Sequence, residues 1–152
     1  MNGEKHIEKC IKSVLNQKVK DIEYIIIDGG SSDKTIKIIK KYKAYINIIL
    51  SEKDDGIYDA FNKGLKLSSG KFIGIVNSDD YLTGNALSII KKYINKNKFD
   101  FIFGSVKKHW GILHGYEPHK IYYSWGFYSS HSTGFFITNR AAKIVGKYNI
   151  KY

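Results

Sequence analysis

The stretch Ile73-Gly74-Ile75-Val76-Asn77-Ser78-Asp79-Asp80-Tyr81-Leu82 joins an apolar run directly to two adjacent carboxylates. The apolar part is typical of a parallel strand buried on both faces, and the carboxyl end of such a strand opens toward the crevice where α/β proteins bind ligands. Two carboxylates placed there repel each other unless a cation lies near them. The stretch therefore predicts a metal site at Asp79 and Asp80, with a phosphate-bearing substrate supplying further ligands. The alternative is that the two aspartates only cap the next helix, since Asp is a favourable N-cap residue.

Size and composition indicate one globular domain. The chain has 152 residues, of which 43% are hydrophobic and 14% aromatic, enough to form a core. Its single cysteine, Cys10, cannot form an intramolecular disulfide, which agrees with a reducing compartment, and we expect it to be a core residue of its helix. No apolar run approaches the roughly 20 residues that span a bilayer, and residues 1–6 contain no apolar signal region. These features predict a cytoplasmic protein.

The net charge of +11 comes almost entirely from lysine, since Arg140 is the only arginine. Such a charge attracts nucleic acid or an anionic membrane. However, the lysines are spread over predicted helix faces, which is typical of a solvated surface, and specific base readout depends on arginine. We therefore expect no nucleic-acid partner. A weak association with an anionic membrane surface, at the inner face of the membrane, stays open, and a basic interaction protein is the minor alternative.

Strands alternate with helices through the first 98 residues. The periodicity predicts helices over 4–17, from about 33 onward, over 58–67 and over 85–95, and strands over 23–27, 46–50 and 72–76. This alternation is typical of βαβ units around a mostly parallel sheet.

Each of these three predicted strands is followed by acidic residues, and right-handed crossovers place all of them on one edge of the sheet. The acidic residues are Asp28, then Glu52 with Asp54 and Asp55, then Asp79 with Asp80. Together they predict a polar cleft for a ribose, a base and a metal-bound pyrophosphate.

After residue 98 the pattern changes. Short strands and one short helix are predicted there: a hairpin of Phe99–Val106 with Ile112–Tyr116, a strand over Gly134–Ile137 and a helix over Asn139–Val145. The segment Tyr122–Ser132 is rich in aromatic residues, Gly and Ser, and is typical of a binding loop. We interpret 1–98 as a nucleotide-binding half and 99–152 as an acceptor-side half of a single domain, 1–152.

Four motifs, in order along the chain, resemble those of family 2 inverting glycosyltransferases of the bacterial cell-surface polysaccharide type. They are Ile27–Thr35, Glu52–Gly64, Asn77–Asp80 and His131–Phe136. The resemblance covers nearly the whole chain. It implies the GT-A fold, a Rossmann-like sandwich around a mostly parallel sheet. It also implies transfer of a sugar from a nucleotide-diphospho-sugar, a UDP-sugar by default, to a glycan or lipid-linked acceptor.

The resemblance also implies roles for single residues. The nucleotide-sugar contacts would be Asp28 beside the base, Glu52 and Asp54 at the base and ribose, Asp79 at the ribose or metal, and His131 at the diphosphate or metal. Asp80, together with Asp79, would bind Mg²⁺ or Mn²⁺, whose charge offsets that of the leaving diphosphate. For His131 a structural role is an equal alternative. Asp59 is expected to form local hydrogen bonds rather than to act in catalysis.

The chain departs from the family pattern at Gly29 and at both ends. Many relatives carry an acidic residue where this chain has Gly29, so one possible base contact is absent. The family's first apolar strand precedes the Asn-Gly pair that is here Asn2-Gly3, so we expect the sheet to lack that strand and to expose an edge that favours self-association. The family's general base lies beyond Tyr152. We therefore expect weak or no activity of this chain alone, the alternative being a non-catalytic nucleotide-sugar-binding fragment.

Overall fold

Alternating strands and helices build the first half of the computed structural model, which describes residues 1–96, 99–113 and 132–151. The helices are α1 Ile7–Leu15, α2 Thr35–Lys41, α3 Ile57–Leu67, α4 Ala86–Lys96 and α5 Asn139–Val145. The strands are β1 Ile25–Asp28, β2 Ile48–Ser51, β3 Phe72–Gly74, β4 Phe101–Phe103, β5 Val106–Lys108, β6 Gly111–Leu113 and β7 Phe135–Thr138. The predicted order of strands and helices is confirmed, although β3 ends at Gly74, two residues before the predicted end.

The strands form three hydrogen-bonded groups among the described residues. β1 and β2 are parallel, and their register pairs Ile25 with Ile48 and Asp28 with Ser51. β7 lies between β3 and β4 and is antiparallel to both. Hydrogen-bonded parallel pairing of the first three strands is therefore seen only between β1 and β2.

The hairpin in the second half differs from the prediction. It consists of β5 and β6, which pair Val106 with Leu113, whereas β4 leaves the predicted hairpin and pairs with β7. The short turn after Lys108 brings β5 and β6 together, while β4 finds its partner in a strand more than thirty residues downstream. The rest of the predicted hairpin, 114–116, and the predicted binding loop up to residue 131 lie outside the described residues.

The buried core lies in the first half of the chain. It consists of Ile7, Ile11, Ile26, Ile39 and Ile46, contributed by α1, β1, α2 and the segment before β2. The sequence places Ile7, Cys10, Ile11, Val14 and Leu15 on one face of α1, and the first four of them are buried while Leu15 is partly buried against the core. Burial, reinforced by the nearby Asp80 and Asp79 carboxylates, raises the pKa of the Cys10 thiol to about 11. Cys10 is therefore an unreactive core residue at neutral pH.

A cavity of about 1150 Å³ separates the two main strand groups. One wall is formed by Ile25–Ile27 of β1 and the other by 72–76 of β3 and its continuation, with apolar side chains of α1, α3 and α4 completing the lining. No described strand pairs with the cavity-facing edge of β1 or of β3. The gap thus lies between the pair β1 and β2 and the group of β3, β7 and β4. It also corrects the expected burial of the third strand, because Phe72 and Ile73 are only half-buried.

The helices of the described ranges include none that is long and apolar enough to cross a membrane.

Candidate functional site

Asp28, at the end of β1, is a buried carboxylate that closes the turn after the strand. Its Oδ2 accepts hydrogen bonds from the backbone N–H of Gly30 (3.1 Å) and Ser31 (2.9 Å) and from the Ser51 hydroxyl (2.8 Å). Its Oδ1 accepts a further hydrogen bond from the Ser31 hydroxyl. Burial raises the pKa of Asp28, but these hydrogen bonds together outweigh burial and hold the pKa below its usual value. Asp28 is thus a fixed anion that joins the turn to β2, and its implied contact with a base stays a prediction.

Asp28→Asn is expected to lower the free energy of unfolding at pH 7 by about 2 kcal/mol, because hydrogen bonds to a charged group contribute about 1.5–3 kcal/mol each. Since the pKa is lowered in the folded state, this stabilisation is present above the usual carboxyl pKa of about 4 and is lost as the pH falls through the folded value. Urea unfolding at pH 7 and pH 3 measures both effects. Asp21→Asn, at a side chain that is 86% exposed, is the control. An equal loss at both pH values would contradict the argument.

Asp54 packs directly against the backbone of Gly29. A Cβ atom placed on Gly29 would overlap the Asp54 carboxylate, so glycine is required for this close approach. Asp54 is fixed there because its Oδ1 accepts a hydrogen bond from the N–H of Gly56 at 3.1 Å. The carboxylate of Asp54 therefore occupies the space that a side chain at position 29 would fill. Two of the acidic strand ends meet at this point.

Glu52 is held in an ion-pair network. Its Oε1 lies 3.0 Å from the Lys63 ammonium, which also contacts Asp59 Oδ2 at 3.1 Å and the carbonyl oxygen of Lys53 at 3.0 Å. Asp59 accepts a second hydrogen bond, from the backbone N–H of Asp55 at 3.3 Å. Asp59 thus forms local hydrogen bonds, as predicted. The implied contact of Glu52 with a nucleotide stays a prediction.

Asp80 lies in a polar network that joins two distant parts of the chain. Its Oδ2 accepts hydrogen bonds from Asn77 Nδ2 (3.0 Å) and from the Thr133 hydroxyl (2.5 Å), and Asn77 Nδ2 also donates to the Ser132 hydroxyl (2.9 Å). Asp79 is exposed. The turn after β3 is thereby tied to the turn before β7. Asn77, Ser132 and Thr133 have no role predicted from the sequence, although all three lie in the motifs Asn77–Asp80 and His131–Phe136.

The alternative that Asp79 and Asp80 cap the next helix is wrong, because α4 begins at Ala86 and residues 81–85 lie between.

Mg²⁺ and Mn²⁺ prefer oxygen ligands and are commonly held by one or two carboxylates plus substrate phosphates. Asp79 and Asp80 fit this need, and hydrogen bonds orient the Asp80 carboxylate as outer groups orient metal-binding carboxylates. Within the described ranges no group of three or more His, Cys, Asp or Glu side chains could hold a metal ion. His131 lies outside the described residues.

Asn2 and Gly3 connect the carboxyl ends of β1 and β3. The Asn2 N–H donates to the Ser31 hydroxyl at 2.7 Å and the Gly3 N–H to the Thr35 hydroxyl at 2.8 Å. A Cβ atom on Gly3 would lie 3.3 Å from the side chain of Ser78, so the same residue contacts the turn after β3. Gly29, Asp54 and Asp79 all line the cavity between the strand groups. Of the acidic residues that follow the first three strands, Asp54 and Asp79 thus line one cavity, and the predicted polar cleft for a nucleotide stays a prediction.

Open α/β domains bind ligands at the carboxyl edge of the sheet, which is where these acidic residues follow their strands. Glycosyl transferase family 2 matches residues 1–149, and the chain belongs to this family.

Relatives and solved structures agree with this membership. The chain is 40% identical over 108 residues to poly(ribitol-phosphate) β-N-acetylglucosaminyltransferase TarP of Staphylococcus aureus, covering 68% of this chain and 33% of TarP. It is 37% identical over 90 residues to chondroitin synthase of Escherichia coli, covering 58% of this chain and 13% of that protein. The chain thus spans a third or less of these relatives.

The structure of S. aureus TarS residues 1–349 superposes with a TM-score of 0.79 at 22% identity, covering 99% of this chain and 48% of that fragment. The complex of TarS residues 1–349 with UDP-GlcNAc superposes with a TM-score of 0.64 at 28% identity, covering 70% of this chain and 32% of the fragment. The GT-A fold implied by the sequence is confirmed.

Proposed function

We propose that this chain forms the donor-binding part of a bacterial cell-surface polysaccharide glycosyltransferase, which transfers a sugar from a UDP-sugar to a glycan or lipid-linked acceptor. The observation that carries the proposal is the pair of acidic turns after β2 and β3, in which Asp54 packs on Gly29 and Asp80 is oriented by Asn77 and Thr133. The binding of UDP and UDP-GlcNAc by TarS, which shares the fold, supports a uridine nucleotide as the donor.

The residues of the acidic turns have different roles in the proposed donor binding. Asp80 and Asp79 would hold Mg²⁺ or Mn²⁺, and the ion would stabilise the charge of the leaving diphosphate. Asn77 and Thr133 keep the Asp80 carboxylate in one orientation, which lowers the cost of ordering it when the ligand binds. Asp28 fixes the turn that follows β1, and Asp54 presents a carboxylate beside that turn.

The acceptor side is proposed for residues 99–152, where the aromatic segment 116–130 would select the acceptor. Inversion at the anomeric carbon needs a base that takes the proton of the attacking acceptor hydroxyl. The chain spans a third or less of its relatives, so we propose donor binding for its described residues and transfer for the whole enzyme. Transfer by this chain at the rate of a longer form would overturn that division.

Donor binding is tested by calorimetry of the purified chain with UDP, in Mn²⁺ and in EDTA. No described group of three or more His, Cys, Asp or Glu side chains could hold a metal ion, so the phosphates of UDP would have to complete its ligands. UDP is therefore expected to bind at least about 10-fold more tightly in Mn²⁺. Mn²⁺ alone should bind weakly. UMP is the matched control, since it lacks the second phosphate and should gain little from the ion. Equal UDP affinity in Mn²⁺ and EDTA would exclude metal-assisted donor binding.

A further inference from the structure

The side chain of Lys63 connects the acidic turn between β2 and α3 with α3 itself. Lys63 lies on α3, and its ammonium contacts the Glu52 carboxylate at 3.0 Å, the Lys53 carbonyl at 3.0 Å and the Asp59 carboxylate at 3.1 Å. An ammonium group has three N–H donors, and these three oxygens match them in number. The side chain is only 19% exposed. Lys63 is therefore fully engaged by its own chain, which leaves it no donor for a phosphate.

The turn that Lys63 holds is the one that presents Asp54. It begins beside β1, where the Glu52 N–H donates to the Asp28 carbonyl at 3.0 Å. It ends at Gly56, whose φ of 108° favours glycine and allows the sharp entry into α3. Between these points the Asp54 carboxylate rests on Gly29. Because the Lys63 ammonium binds both Glu52 and Lys53, it fixes the start of the turn relative to α3.

The negative charges around the turn require the positive charge of Lys63. Glu52, Asp54, Asp55 and Asp59 place four carboxylates within eight residues, and like charges at such spacing repel. Lys63 neutralises Glu52 and Asp59 directly, and the hydrogen bond to Glu52 raises the pKa of Lys63 so that it stays charged. Without it, the turn would relax by separating its carboxylates, and Asp54 would leave its place at Gly29.

We propose that Lys63 is a positioning residue that holds the turn 52–56 in the shape required for Asp54 to meet the nucleoside of the donor. This proposal rests on the proposed donor binding. It reassigns Glu52, which acts through Lys63 and the shape of the turn rather than by touching the nucleotide. Lys63 itself does not touch the donor.

The test compares Lys63→Met, which keeps the length of the side chain and removes its charge, with Lys63→Arg and with Lys66→Met. Lys66 is exposed on the same helix and serves as the matched control. In Lys63→Met the affinity for UDP in Mn²⁺ is expected to fall about 10-fold, a loss that one charge-assisted hydrogen bond commonly carries. Lys63→Arg should retain most of the affinity, and Lys66→Met all of it.

Two further measurements separate positioning from other roles. Uridine, which has no phosphate, should lose affinity by the same factor as UDP in Lys63→Met, whereas an unchanged uridine affinity would mean that Lys63 binds phosphate and would overturn the proposal. In the free protein, exchange of the Asp55 and Gly56 amide hydrogens should accelerate in Lys63→Met, because the Asp55 amide donates to Asp59 on α3 and the Gly56 amide donates to Asp54 within the turn. Unchanged exchange would overturn the proposal whether or not UDP binds. Lack of UDP binding by the wild-type chain would instead refute donor binding itself.

Discussion

Asp80→Asn is expected to weaken Mn²⁺-dependent binding of UDP about 100-fold, because loss of even an outer group of a metal site commonly costs 10–100-fold in metal affinity. The amide keeps the size of the side chain and removes the negative charge that the ion needs. Calorimetry with UDP at saturating Mn²⁺ measures the effect, and Asp80→Ala should show at least the same loss. In EDTA, wild type and both variants should bind UDP with similar, weak affinity.

Thr133→Val tests the network around Asp80 separately. Valine has the shape of threonine without its hydroxyl, so the variant removes the hydrogen bond to Asp80 Oδ2 and leaves the carboxylate in place. We expect an affinity loss of about 10-fold in Mn²⁺, the lower end of the range for outer groups of a metal site. Asp21→Asn, on the exposed surface, should bind UDP like wild type. For the preceding prediction on Asp80 itself, equal affinity of wild type and Asp80→Ala for UDP in saturating Mn²⁺ would rule out Asp80 as the ligand of the ion.

The place of Asp80 could be predicted from sequence because it depends on local features. An apolar run that ends in carboxylates signals a buried strand and the edge to which it points, and no distant residue is needed for that inference. Its hydrogen-bond partner Thr133 lies 53 residues away. Contacts of that kind depend on how β7 inserts between β3 and β4, and no periodicity within one segment reports this.

Glu52 shows the same boundary between local and distant information. The sequence places it after a strand, and this is where the structure has it. Whether such a carboxylate contacts a ligand or a lysine depends on which side chains of the following helix point back toward the turn. Lys63 does so from the second turn of α3, at a distance that spacing alone did not reveal. The position of Glu52 after a strand could therefore be predicted from the sequence, whereas its ion-pair partner Lys63 could not.

The half-buried state of β3 has a different cause. The apolar run 72–76 was expected to be buried on both faces, and its composition suits that environment. In the structure its inner edge borders the cavity opposite β1 instead of a neighbouring strand. A sequence pattern reports the environment for which a segment is suited, whereas the observed burial depends on which other strands are present.

Addition of an apolar strand before Met1 is expected to stabilise the chain by filling this cavity. Met1 lines the cavity, and Asn2 and Gly3 lie between the carboxyl ends of β1 and β3. A strand joined to Met1 would therefore run parallel to β1 and present its backbone to the open edges of both strands. Its side chains would meet the apolar walls contributed by α1, α3 and α4, so a Val- and Ile-rich segment suits both faces.

For five added residues, burial of the side chains contributes about 2 kcal/mol each and ordering of the segment costs about 1.5 kcal/mol each, so the free energy of unfolding should rise by about 2–3 kcal/mol. Urea unfolding measures the gain, and amide exchange of Ile26 and Ile73 should slow. The control has the same length with proline at alternate positions, which removes the N–H donors that a strand needs. Self-association, expected of the unmodified chain because of its open strand edges, should decrease in sedimentation experiments with the added strand. If the proline-containing segment stabilises the chain equally, the cavity accepts apolar chain in any conformation and the two edges do not form a slot for a strand.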